Sequence, residues 1–225
     1  MRLPLNYGAF TACPILPEHL PVVTNQLLLE LEPPPAPTLA NFVIGRNRAA
    51  VDAIARLAAA PGVVYLWGEG GSGKSHLSAA AQAAAGDAPF AAFDDADCLA
   101  DAAQVEAFDR FNRVRAAGGS VIAAGTAPPA RLELREDLRS RLLSGLVFQL
   151  QPLADEEKAA ALAAHAAARG MKLPPEAVDH LLGRLPRDLG TQFAVLDAVD
   201  RYSLALKRPV TLPLVREALR ALDLA

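Results

Sequence analysis

The chain has 225 residues, 52% of them hydrophobic and 21% charged, enough for one or two globular domains around a buried core. A net charge of −3 argues against a chain that binds nucleic acid through bulk electrostatics, while leaving room for a local basic patch. No apolar run is long enough for a bilayer, and Cys13 and Cys98 have no metal or redox spacing, so the expectation is a cytoplasmic protein with reduced thiols and no membrane partner.

Residues 1–22 contain Pro4, Pro14, Pro17 and Pro21, which interrupt any continuous apolar segment of a secretory signal. The stretch reads as a disordered extension, or as an artefact of where translation was taken to start. Next comes the apolar hexapeptide Gln26–Leu31 (QLLLEL), tethered by the proline-rich Pro33–Pro37, which keeps it extended. Two readings stay open for it: a short peptide that docks in a partner's groove, or an edge strand packing back on its own domain. The organisation expected is an extension over 1–37, an α/β domain over 38–151 and a helical domain over 152–225.

Thr38–Ala60 reads as a turn and then a helix, with Val51, Ile54, Ala55 and Leu57 at helical spacing and Pro61-Gly62 as its stop. The strand Val63–Trp67 follows. It runs into Gly68-Glu69-Gly70-Gly71-Ser72-Gly73-Lys74-Ser75, which fills the pattern G-x-x-x-x-G-K-[ST] without a mismatch. Each part has a physical reason. The glycines let backbone N–H groups curl around a polyphosphate, the helix opening at Lys74 adds its positive end, Lys74 reaches the β- and γ-phosphates, and the Ser75 hydroxyl suits Mg²⁺. This is a nucleotide site by sequence alone.

The loop helix reaches about Ala85, and Phe90–Phe93 is a short strand ending in Asp94-Asp95. An acid at the end of a buried strand downstream of a phosphate loop is the arrangement that holds Mg²⁺: Asp94 beside the metal, Asp95 orienting or deprotonating the attacking water. Asp101–Ala117 is a helix, Ser120–Thr126 a buried strand, Leu132–Leu142 an arginine-rich helix and Leu146–Leu150 a final strand. Strands alternating with helices make a parallel α/β sheet. Beyond Pro152 only helices are expected: Asp155–Arg169 capped by Asp155, Pro175–Leu182, Asp188–Leu206 and Leu214–Leu222 starting near Thr211. His165 and His180 read as surface residues.

A phosphate-loop domain followed by a small helical lid is the outline of an AAA+ module. Phe42–Asn47, Tyr65–Gly68, Gly73–Leu77, Pro128-Pro129, Asp137–Leu142 and Leu150–Leu153 together resemble the DnaA/Hda family of AAA+ proteins, over nearly all of Gln26–Leu222. The chain ends where DnaA would continue into a helix-turn-helix DNA-binding domain, which points to the shorter Hda branch. The resemblance implies that Gln26–Leu31, with Gln26, Leu27, Leu29 and Leu31 as contacts, docks on the β sliding clamp, although Glu30 stands where proline is usual. It implies that Phe42, Val43, Ile44 and Gly45 line the adenine pocket, that His76 follows the loop, and that Arg141 is an arginine finger offered to a neighbour's γ-phosphate.

Three departures accompany it. Thr126 stands where the strand-end sensor is often Asp or Asn, and Gly190 where a nucleotide-sensing arginine is expected, with Arg187 as a substitute one turn earlier. About twenty residues separate Gly73 from Asp94, where the family fits a further strand and helix. The sheet is therefore expected to lack one strand, or the sequence to carry a deletion. The reading that follows is a module holding ADP or ATP with Mg²⁺ and having little ATPase of its own. It regulates replication initiation by stimulating ATP hydrolysis on DnaA, touches DNA only through the clamp, and is compatible with a homo-oligomer. A helicase loader or remodeller with its own ATPase, and a non-catalytic clamp adaptor, are the alternatives.

Overall fold

The computed structural model describes residues 35–224, so the Gln26–Leu31 peptide lies outside the described residues. Helix α1 (Arg48–Arg56) is followed by β1 (Val63–Trp67), α2 (Lys74–Ala85), β2 (Phe90–Phe93), α3 (Asp101–Ala116), β3 (Ser120–Gly125), α4 (Glu136–Leu143) and β4 (Leu146–Gln149). The strands form one sheet in the order β2-β3-β1-β4, with all three pairings parallel. The chain steps from β1 to the far edge at β2, returns to β3, and then crosses to β4. Because strand crossovers are right-handed, a reversal of direction puts the connecting helices on opposite faces. Accordingly α1 and α2 cover one face with Val51, Ile54, Leu77 and Ala81 against Val64, Leu66, Ile122 and Leu150. The other face buries Tyr65 and Ala123 under Ala107 of α3 and Leu138 and Leu142 of α4.

The path from α2 to β2 is a direct turn over residues 86–89, with no intervening strand or helix. The sheet thus has four strands among the described residues, and β2 is its edge. The opposite edge, β4, leaves Leu146 and Val147 exposed.

Four helices follow: α5 (Asp155–Ala168), α6 (Pro175–Arg184), α7 (Leu189–Leu206) and α8 (Leu212–Ala221). They close around a core of their own in which Leu162, Leu181, Leu196, Leu214 and Leu219 are fully buried. Local details differ from the sequence expectations. The helix expected over Leu132–Leu142 begins only at Glu136, because Leu132 and Leu134 are drawn into the core beneath Tyr65 by an extended approach. The N-cap of α5 is Ala154 rather than Asp155, and the end is satisfied in reverse: the Glu157 carboxylate accepts from the Ala154 N–H at 2.8 Å. Thr211 stands at the N-cap of α8 but its hydroxyl makes no capping bond. His165 is largely buried, stacked on Phe193 at 4.3 Å and bonded to Asp197 at 2.7 Å, so it belongs to the lid interior and not to its surface.

Sheet and lid are joined at Asn47. This buried side chain donates to the Gln151 carbonyl at 2.9 Å and accepts from the Gln151 N–H at 2.8 Å. Asn47→Ala leaves both backbone groups without these partners in a closed site. We expect a loss of about 1–3 kcal/mol in urea unfolding.

Candidate nucleotide site

The phosphate loop lies at the C-terminal end of β1, between the ends of β3 and β4. Parallel α/β sheets present their ligands at this edge. Gly73 has φ +94° and opens α2; a Cβ there would meet the Phe42 ring at 2.6 Å. Phe42 also lies 5.4 Å from the His76 ring, and His76 Nε2 is 3.0 Å from the Thr38 carbonyl. Residues 38–42 are thereby held against the start of α2. Val43 and Ile44 are half-buried beside them, and Gly45 backs onto Leu153 and Glu157 at the start of the lid. Arg46 reaches the Pro152 carbonyl at 3.3 Å. The segment expected to line an adenine pocket is therefore fixed between the phosphate loop and the lid hinge.

Within the loop Glu69, Gly70 and Gly71 are exposed, as is Ser75 on the first turn of α2, while Gly68 and Ser72 are buried. Lys74 is buried with its ammonium donating to the carbonyls of Gly68 at 2.8 Å and Glu69 at 2.9 Å. The Ser72 hydroxyl is buried with no partner among the described residues. A cation held inside a curl of backbone, beside an unsatisfied hydroxyl and the opening of α2, fits a polyphosphate.

Asp94 closes β2, the edge strand, with β3 between it and β1. Its Oδ1 is buried and has no partner among the described residues, a state that a cation or a water would relieve. Asp95 is exposed in a left-handed conformation, φ 49°, and starts a single 3₁₀ turn over Ala96–Cys98. Among the described residues no three His, Cys, Asp or Glu side chains gather as a metal cluster. Ser75 and Asp94 would therefore hold Mg²⁺ only together with the phosphates, as phosphate-loop sites do.

Asp97, which the sequence reading passed over, is engaged here. Its Oδ2 accepts from the Thr126 N–H at 3.2 Å and from the Thr126 hydroxyl, and its Oδ1 is buried without a partner among the described residues. Thr126, where the resemblance expects a strand-end sensor, is thus turned to a neighbouring acid. Burial, and then the charge of Asp97, push the Tyr65 phenol far above its ordinary range, so it stays protonated and donates to the Ala127 carbonyl at 3.0 Å. The signal in the sequence was the spacing Asp94–Asp97 around a 3₁₀ turn, which resembles any acidic loop until β3 is laid beside it.

From the lid, the turn before α7 reaches the loop. A Cβ on Gly71 (φ +76°) would stand 3.7 Å from the Arg187 carbonyl. The Arg187 side chain is exposed. At Gly190 only the Asp188 carboxylate would approach a side chain, so the position has room for a larger residue. Arg141 is exposed on α4, remote in sequence from the loop, with its guanidinium 6.0 Å from the Phe108 ring centre.

Gly73 and Gly70 make a paired test of the loop. Gly73→Ala faces both the left-handed backbone and Phe42; it should weaken binding of a fluorescent ADP analogue at least tenfold, by about 1.4 kcal/mol or more. Gly70→Ala, in open space with an ordinary φ, should bind like the parent.

Residues 155–219 match the family model for the Hda lid domain. Among solved structures, domain III of the Thermotoga maritima replication initiation protein DnaA aligns with a TM-score of 0.67 at 21% identity, over 84% of this chain and 96% of that one. AMPPCP-bound DnaA from Aquifex aeolicus aligns at 0.57 and 20% identity, over 71% of this chain and 64% of that one. The fold is broader than these proteins: a mutant of Thermotoga maritima RuvB aligns at 0.61 with 14% identity, over 85% of this chain and 74% of that one. The chain thus has the fold of DnaA domain III, and its four terminal helices match the model for the Hda lid domain.

Proposed function

We propose that this protein is a nucleotide-bound regulator of chromosomal replication initiation, which docks on the DNA-loaded β sliding clamp and stimulates ATP hydrolysis by DnaA through Arg141. The observation that carries this reading is the state of the arginines on and beside α4. Arg135 is paired with Asp137 at 2.8 Å and Arg139 with Glu136. Arg141 has no ion-pair partner among the described residues and projects from an exposed helix turn anchored beneath by Leu138 and Leu142. An unpaired guanidinium on a rigid helix is what a γ-phosphate in a neighbouring subunit requires.

The nucleotide is an adenine nucleotide in this reading, in keeping with the AMPPCP bound by Aquifex DnaA. Phe42, Val43, Ile44 and Gly45 hold the base, Gly68–Ser75 and His76 the phosphate end, Arg187 covers it from the lid, and Ser75 with Asp94 holds Mg²⁺. Its role is to fix the sheet and lid as one presenting surface. Slow intrinsic turnover follows from Thr126, whose hydroxyl is engaged by Asp97, and from Gly190, which carries no charge to the phosphates. Gln26, Leu27, Leu29 and Leu31 supply the clamp contact.

The decisive measurement is hydrolysis of DnaA-bound ATP with clamp loaded on DNA. Arg141→Ala should abolish stimulation, a loss of about 10³–10⁵ where the finger is fully used, with ADP binding unchanged. Stimulation that survives this substitution rules the mechanism out. In the same assay Gln26→Ala should remove both clamp pull-down and stimulation, whereas a self-sufficient ATPase would be indifferent to it.

A further inference from the structure

The lid carries a second charged feature that the nucleotide site does not use. Between them α6 and α8 leave a half-open hollow of about 250 Å³, its wall mostly apolar surface, lined by His180, Arg184, Arg216, Leu219 and Arg220. Four of the five lining side chains are basic, and no acid lines the cavity. The three arginines have no ion-pair partner among the described residues. Arg184 and Arg220 each stand in the last turn of their helix, where the macrodipole favours a cation. That accounts for one charge at each helix end. It does not account for their convergence with Arg216 and His180 on one concavity.

We infer that this α6–α8 face is a binding site for phosphate groups, and that its ligand is the backbone of double-stranded DNA. No Phe, Tyr or Trp lines the hollow, the large rings on which bases stack in single-strand sites. Arg216 and Arg220 are one turn apart, about 6 Å along α8, and Arg184 faces them from α6. That row addresses successive charges of a polymer better than one free ion. Guanidinium forks match phosphate oxygens in geometry as well as charge. The site adds a direct, sequence-independent contact to a protein whose net charge is −3, and it stands independently of the clamp and Arg141 reading.

His180 is a built-in reporter. Partial burial, then the positive charges of Arg216 and Arg184, hold its imidazole below the ordinary histidine range, and Arg220 lines the same cavity. A phosphate seated among the arginines offsets that repulsion and must raise it.

The test uses the full chain with a 20-base-pair duplex. Fluorescence anisotropy at 50 mM salt should give micromolar binding, with three phosphate contacts contributing about −2.7 to the slope of log K against log salt. Arg184→Gln/Arg216→Gln/Arg220→Gln should weaken binding at least tenfold and remove most of that slope, while the corresponding triple lysine variant retains it. In the unmodified protein, NMR titration of His180 should move to higher pH on adding duplex. An unchanged slope in the triple glutamine variant overturns the proposal. So does a His180 that responds to pyrophosphate but not to duplex, which would make this a small-anion site.

Discussion

One amide side chain sets the frame on which the rest of the molecule depends. Asn47 is buried and bonded twice to Gln151, 104 residues away in sequence, at the point where the sheet ends and the lid begins. Around that junction the contacts follow in register: Gly45 against Leu153, Arg46 on the Pro152 carbonyl, Glu157 capping the start of α5. A planar amide can donate and accept in one plane, so the pairing fixes orientation as well as distance. The residues that flank the phosphate loop and the first turn of the lid are consequently parts of one rigid corner. Apolar packing on the two sheet faces supplies bulk stability, but apolar contact alone tolerates sliding. The amide pair does not.

The shortened sheet has its own logic. With α2 leading directly to β2, the strand that ends in Asp94 becomes an edge strand, and its termination is determined by the 3₁₀ turn over Ala96–Cys98 and by Asp97 reaching to Thr126 at the end of β3. A carboxylate bonded to a backbone N–H and a hydroxyl across the strand ends holds together what a further strand would otherwise buttress. Tyr65, protonated and buried beneath, donates to the Ala127 carbonyl just beyond this link. Polar contacts therefore determine the geometry where β2 and β3 end.

Much of this was legible in the chain because it rests on short-range requirements. The phosphate loop announces itself since only glycine accepts the backbone at Gly73 with Phe42 packed against it, and helical period marks the lid helices. What escaped was set by tertiary contact. Leu132 and Leu134 fit a helical pattern equally well, but the pocket under Tyr65 takes them in extended form and delays α4 to Glu136. His165 reads as a surface residue until α7 brings Asp197 and Phe193 to it. Asp97 carries no signal of its own until the end of β3 lies beside it, and the convergence of Arg184, Arg216 and Arg220 depends on how α6 and α8 cross. Each requires knowing which distant element lies alongside.

The close approach at Gly71 has a thermodynamic corollary. The Arg187 carbonyl lies close enough to that glycine for a side chain there to touch it, so a lid that moved further toward the loop would bear on the loop's shape, and the two positions are linked. Linkage of this kind is reciprocal. Any molecule that grips the closed lid from outside tightens nucleotide by the same factor by which nucleotide tightens it. A ligand in the loop would then be readable at the lid, with no chemical step taking place.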